Sequence, residues 1–173
     1  EGDVFTFDTG STLTWGMQAF KTKENQRLFS DFGNSSMGYA LPAGIGASFA
    51  LNKGEVGCVI GDGGLKMCIK ELETAVRHNL PIRVFFMNNH EYSMIKQFQD
   101  VHFGSRYAAT DFAGGLGEVD LLKVAAAYGA HTIQINNNSE IRSKIKEARS
   151  VAGPVVCSIE LKPGEKMKPK LEF

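Results

Sequence analysis

The chain has 173 residues, enough to bury one hydrophobic core of ordinary domain size without disulfide staples. Acidic and basic residues balance at 19 each, which excludes a broad basic face for nucleic acid or an anionic membrane. A local anion site built from backbone amides and a metal is compatible with that balance.

Cys58, Cys68 and Cys157 form no CxxC pair, and two of them sit in apolar runs, so all three are read as reduced core residues in a cytoplasmic or equally reducing setting. No apolar run approaches the ~20 residues that span a bilayer, and no signal-peptide pattern is visible. Glu1 leads almost directly into a strand-like run, which points to a segment excised from something longer.

In chain order, Val4 to Phe7 reads as a strand closed by Asp8-Thr9-Gly10, residues 12 to 20 as a helix, and Arg27 to Ser30 as a second strand. Gly33 to Ser36 is a loop. Met37 to Leu51 is a small-residue helix whose regular part starts near Leu41, because Pro42 is tolerated only in a first turn. Glu55 to Ile60 is a strand, Gly61 to Gly64 a tight turn, and Leu65 to His78 one helix with Leu65, Ile69, Leu72 and Val76 on its apolar face. Asn79-Leu80-Pro81 ends that helix. Ile82 to Met87 is then a nearly unbroken apolar strand, as expected inside a parallel sheet.

The stretch from about 99 to 117, with four glycines and little periodicity, reads as a long loop with one helical turn. Leu121 to Tyr128 is helical, Thr132 to Ile135 a strand, Ser139 to Ser150 a helix with Ser139 as N-cap, and Pro154 to Leu161 a strand. The charged tail from Lys162 to Phe173 is expected to cross the surface. This alternation predicts one three-layer α/β/α domain over residues 1–173 with a mostly parallel sheet.

In open α/β sheets, ligands bind beyond the carboxyl ends of the strands. Two consecutive strands here end in polar loops, Gly61-Asp62-Gly63-Gly64 and Asn88-Asn89-His90-Glu91. A glycine turn that opens a helix suits phosphate, but neither the dinucleotide fingerprint nor the P-loop is complete: Lys66 holds the place of a third glycine, and no GK[ST] follows. Asp62 is the informative residue. A carboxylate in a phosphate turn repels its ligand unless a cation bridges them, and Mg²⁺ takes one or two protein oxygens plus phosphate oxygens. Asn89 offers a neutral amide oxygen, and the turn after it can offer a main-chain carbonyl.

GDG, then 24 residues, then NN resembles the cofactor signature of thiamine-diphosphate enzymes. NLPIRVFFMNNHEYSMIKQFQ and GNSSMGYALPAGIGAS are similar to segments of the acetolactate synthase branch. The resemblance implies a thiamine-diphosphate-binding fold that holds the cofactor through Mg²⁺. Asp62, the Asn89 side chain and the Glu91 carbonyl would be metal ligands, with Gly61, Gly63 and Gly64 on the diphosphate. Met37 matches the apolar wedge that bends the cofactor, and the Ser35 carbonyl matches the acceptor for its amino group. Tyr92 and Met94 would line the thiazolium side. Thr12 and Thr14 align with a second diphosphate-contacting segment, where the family often shows Gln and His opposite Leu13 and Thr14.

Phe98 stands where acetolactate synthases carry Trp, so the acceptor pocket should differ. Among the histidines, His90 lies nearest the proposed site, and His102 sits in the loop where substrate could touch it.

By the same resemblance the enzyme decarboxylates a small 2-oxo acid and transfers or releases the aldehyde unit. The alternative is the cofactor subunit of a split decarboxylase of the sulfopyruvate or phosphonopyruvate type. The activating glutamate belongs to a pyrimidine-binding domain of the same or another chain in a homodimer or homotetramer, so this chain alone should be inactive. FAD, where a family member carries it, belongs mainly to a middle domain.

Overall fold

In a computed structural model describing residues 3–168, six strands form one all-parallel sheet in the order β2-β1-β3-β4-β6-β5. The strands are β1 (Val4–Phe7), β2 (Arg27–Ser30), β3 (Val56–Gly61), β4 (Ile82–Asn88), β5 (His131–Ile135) and β6 (Val155–Glu160). The helices are α1 (Ser11–Ala19), α2 (Ala40–Ala50), α3 (Asp62–Cys68), α4 (Leu72–Arg77), α5 (Ser93–His102), α6 (Leu121–Ala127) and α7 (Ile141–Ser150). The expected three-layer α/β/α fold is what the chain adopts.

Side chains alternate across the strands and separate the two helix layers. Val56, Cys58 and Ile60 of β3 and Ile82, Val84 and Phe86 of β4 pack with Leu41 and Ile45 of α2, Leu65 of α3, Leu72 of α4 and Leu121 of α6. On the opposite face, Ile133, Val155 and Cys157 pack with Ala148 of α7, while Phe5 and Phe7 meet Phe20 edge-on beyond α1. A Cβ on Gly16 would overlap the Phe7 ring, so the close seat of α1 on β1 requires glycine there. Buried Arg83, on that same face, bonds Glu55 at 3.1 Å and the Val151 carbonyl at 2.8 Å. The three cysteines are free and buried, as expected of core thiols.

Four expectations need correction. Gly61 to Gly64 is not a separate turn: Gly61 ends β3 and Asp62 begins α3 directly. The helix expected over Leu65 to His78 is broken by a 3₁₀ turn at Ile69–Glu71, where Cys68 leaves helical geometry (φ −123°, ψ 3°). The apolar stripe survives the break because Leu65 and Leu72 stay fully buried. Ser139 does not cap α7: its hydroxyl bonds Asn137, and the helix starts at Ile141 behind Glu140. The loop expected from 99 begins only after α5, a helix absent from the sequence reading.

The tail crosses the surface as expected as far as Lys168, whose carbonyl accepts from Gln18 at 2.8 Å. The rest of the expected tail, 169–173, and residues 1–2 lie outside the described residues.

Candidate active site

Strands β1, β3 and β4 end side by side, with Phe7 opposite Val59 and Gly61 opposite Met87. The chain leaves β1 toward β2 on one side and leaves β3 toward β4 on the other. That reversal opens a crevice at the carboxyl ends of the central strands. A cleft of ≈ 290 Å³ lies there. Of the expected site residues, Thr12, Ser35, Met37, Gly61, Asp62, Gly63, Gly64, Asn89, Glu91, Tyr92 and Met94 line it. Thr14 does not: its hydroxyl turns back to the Gly10 carbonyl at 3.5 Å.

Asp62 is buried at the junction of β3 and α3. Its Oδ1 accepts from the Gly63 N–H at 2.8 Å, so that amide is occupied rather than free. Burial raises its carboxyl above the usual range, against the backbone N–H groups of Gly63 and His90 and the charges of Lys66 and His90. No cationic side chain pairs with it within 4.0 Å among the described residues.

The two asparagines face different ways. Asn89, buried, donates from Nδ2 to Ser93 Oγ, and its Oδ1 meets only the Glu91 N–H at 3.5 Å, leaving the amide oxygen available to a cation. Asn88 turns to β6 and donates to both Glu160 oxygens at 3.1 and 3.2 Å.

The glycines have a second reason to be glycine. A Cβ on Gly63 would overlap the Tyr92 ring and crowd the Met37 methyl. One on Gly64 would overlap the carboxylate of Asp8. Met37 and Tyr92 are therefore packed onto the first turn of α3. Ser35 sits in the left-handed region (φ 52°), in a loop that Asp31 organises by accepting from the Asn34 N–H at 3.2 Å and the Ser36 hydroxyl at 2.8 Å.

Sequence reading missed Asp8. It is 1% exposed, lines the cleft and accepts from the N–H groups of Gly38 (3.1 Å) and Ala40 (3.2 Å), tying the end of β1 to the start of α2. Burial raises its carboxyl too, although four backbone hydrogen bonds oppose the shift. Its place after a strand, before Thr9-Gly10, was the available signal. Trp15 and Ser93 also line the cleft.

His90 does not line it. Its ring lies between Glu118 (3.4 Å) and Glu160 (3.5 Å) over a separate groove. His102 ends α5 and lies against Phe98, the rings tilted by 44° with centroids 4.3 Å apart.

The donor set fits a hard divalent cation held jointly with a phosphate: one buried, unpaired carboxylate and one amide oxygen. It does not form a protein-only metal cage, since no group of three or more His, Cys, Asp or Glu side chains converges among the described residues. The apolar wall of Met37, Met87, Tyr92 and Met94 beside that polar floor suits a flat heterocycle.

Residues 8–159 match the family described as thiamine pyrophosphate enzyme, C-terminal TPP binding domain. The chain is 33% identical over 165 residues to the acetolactate synthase large subunit of Porphyra purpurea, covering 95% of this chain and 28% of that protein. It is 31% identical over 160 residues to a probable acetolactate synthase large subunit of Methanococcus aeolicus, covering 92% and 26% respectively. With the acetolactate synthase isozyme 3 large subunit of Escherichia coli (strain K12) it shares 35% identity over 149 residues, covering 86% and 25%. The chain thus spans about a quarter of the length of these relatives. On the match over residues 8–159, the chain belongs to the thiamine pyrophosphate enzymes, as a C-terminal TPP binding domain of the acetolactate synthase-like branch.

Proposed function

We propose that this chain is the diphosphate- and metal-holding half of an acetolactate synthase-like active site, acting on a small 2-oxo acid with Mg²⁺ and thiamine diphosphate. The observation that carries the reading is the buried Asp62 carboxylate, unpaired by any described cation, facing the same cleft as the Asn89 amide. A buried charge without a partner is costly, and a divalent cation at Asp62 and Asn89 would remove that cost. The Glu91 carbonyl would be the third protein oxygen. Met37, packed on Gly63, would support the ring system, with the Ser35 carbonyl at its edge and Tyr92 and Met94 beside it in the same apolar lining. Bound thiamine diphosphate supplies a carbon nucleophile and an electron sink for decarboxylation.

The glutamate that activates the cofactor would come from a pyrimidine-binding domain of the same or another chain. Relatives named as acetolactate synthase large subunits favour the transferase over the split decarboxylase.

Calorimetric titration with thiamine diphosphate, with and without Mg²⁺, tests the site. Tight binding should require Mg²⁺ and be reversed by EDTA. Asp62→Ala and Asn89→Ala should each weaken it by at least about tenfold to a hundredfold. Unchanged binding in both variants would sink the metal assignment.

A further inference from the structure

The reading above uses only the main-chain carbonyl of Glu91, yet its side chain is 3% exposed and fully engaged. One carboxylate oxygen accepts from the Gly164 N–H at 2.7 Å, and the other pairs with Lys96 Nζ at 2.8 Å. Lys96, from the first turn of α5, also pairs with Asp111 at 2.8 Å and lies 4.8 Å from the centroid of the Tyr107 ring. Three segments far apart in sequence thus meet at one ion-pair group: the Asn89–Glu91 loop, the 103–116 loop and the tail.

Further bonds run parallel to that group. The Tyr92 N–H donates to the Thr110 carbonyl at 2.9 Å, and the Thr110 hydroxyl donates to Gln99 at 2.8 Å. Met167 N–H donates to Gln97 at 3.0 Å. Tyr92, whose backbone N–H is held by the Thr110 carbonyl, places its ring against Gly63 at the start of α3. Lys96 also offsets the Glu91 charge, so Glu91 adds no uncompensated acid to the cleft floor beside Asp8 and Asp62.

We propose that Glu91, Lys96 and Asp111 are positioning residues that fix the proposed metal-holding loop and couple its order to that of the 103–116 loop and the tail. The inference rests on the Mg²⁺–thiamine diphosphate reading of the cleft. It assigns the Glu91 side chain a task that its backbone role does not require. Outer groups that orient ligands typically change metal affinity ten- to a hundredfold when removed.

The test uses the full natural polypeptide. At fixed thiamine diphosphate, calorimetry gives the Mg²⁺ concentration for half-maximal binding, and limited trypsin digestion read by mass spectrometry follows cleavage after exposed Arg106. Glu91→Gln and Lys96→Met should raise the Mg²⁺ midpoint about tenfold, with binding recovered at saturating Mg²⁺. Cofactor with Mg²⁺ should protect Arg106 in the wild type and not in these variants. Asp111→Asn, the mildest change, should lose that protection and raise the midpoint by less than the other two. It decides the question if the other two variants do not fold.

Wild-type midpoint and wild-type protection in the folded variants overturn the proposal whatever happens to thermal stability, because a purely structural ion pair moves only the latter. A wild type that shows no Mg²⁺-dependent binding overturns the cleft assignment itself.

Discussion

The floor and the rim of the cleft are held by different physics. The floor is the joined ends of β1, β3 and β4, where Asp8, Gly61, Asp62 and Gly64 meet the close-packed core around Ile60 and Leu65. The rim is α5, the 103–116 loop and the tail. Not one residue of α5 is buried, and Met94, Ile95, Phe98 and Val101 are exposed. What holds the rim is polar: Glu91–Lys96–Asp111, Lys166–Asp100 and the Gln97–Met167 bonds. A site built this way has a floor with little freedom to adjust and a rim that can reorganise without unfolding the core.

The largest effect should come from the floor. Gly64→Ala places a methyl on the buried Asp8 carboxylate, with the Ile60 side chain 3.0 Å away. Overpacking of this kind costs about 1–3 kcal/mol, and we expect the upper end, measured as a shift in urea midpoint at constant slope. A cost below about 0.5 kcal/mol would show that the floor yields.

Asp8→Ala comes next. It removes the acceptor for Gly38 and Ala40 at the start of α2, a loss comparable to a deleted helix cap, about 1–2 kcal/mol. The same denaturation series checks it. An effect confined to cofactor binding would make Asp8 a ligand group rather than a clasp.

The same contrast explains what the sequence made legible. The floor was readable because its chemistry is local: Gly61-Asp62-Gly63-Gly64 and Asn89 each follow a strand directly, and the strands were plain from their apolar runs. Asp8 was not, because its partners lie 30 and 32 residues away and only the strand order brings them together. The glycines were read for amide access to phosphate, but Gly63 and Gly64 are also dictated by Tyr92 and Asp8, contacts that no local pattern encodes.

The helical spacing of Met94, Ile95, Phe98 and Val101 was present in the sequence. That spacing by itself predicts the helix. The Glu91–Lys96–Asp111 group was out of reach because it depends on where the 103–116 loop folds back. Thr14 shows the opposite case: its hydroxyl turns back to the Gly10 carbonyl rather than into the cleft.

Floor and rim should also answer acid in opposite senses. Asp8 and Asp62 have raised carboxyls, chiefly through burial, so their ionised forms cost stability. That cost disappears as pH falls through their folded values, and the floor gains relative to the unfolded chain. Asp100 is the reverse. Lys166 first, then Tyr107 and Ser105, lower its carboxyl to about 2. Its contribution is complete above the unfolded value of roughly 3.9 and is lost as pH falls toward about 2. Amide exchange corrected for intrinsic rate, followed by NMR from about pH 5 to pH 3, should show protection falling at Met167 while Gly38 and Ala40 hold. Loss at all three together would mean that tail and floor open as one unit.

The smallest effect belongs to the exposed face of α5. Phe98 is 54% exposed and its ring neighbours, His102 and Phe103, lie on or next to its own helix, so Phe98→Ser should cost less than about 0.5 kcal/mol. The same truncation of Phe86, 2% exposed in β4, should cost several-fold more, because it leaves a cavity in the core. Chemical denaturation of the two variants side by side measures the ratio. Met94 and Ile95 of the same helix line the cleft, so under the proposed function this exposed apolar face would lie on the substrate side. Phe98→Ser should therefore change turnover of the full enzyme by more than it changes stability. Equal changes in both would place Phe98 in the fold rather than at the mouth of the site.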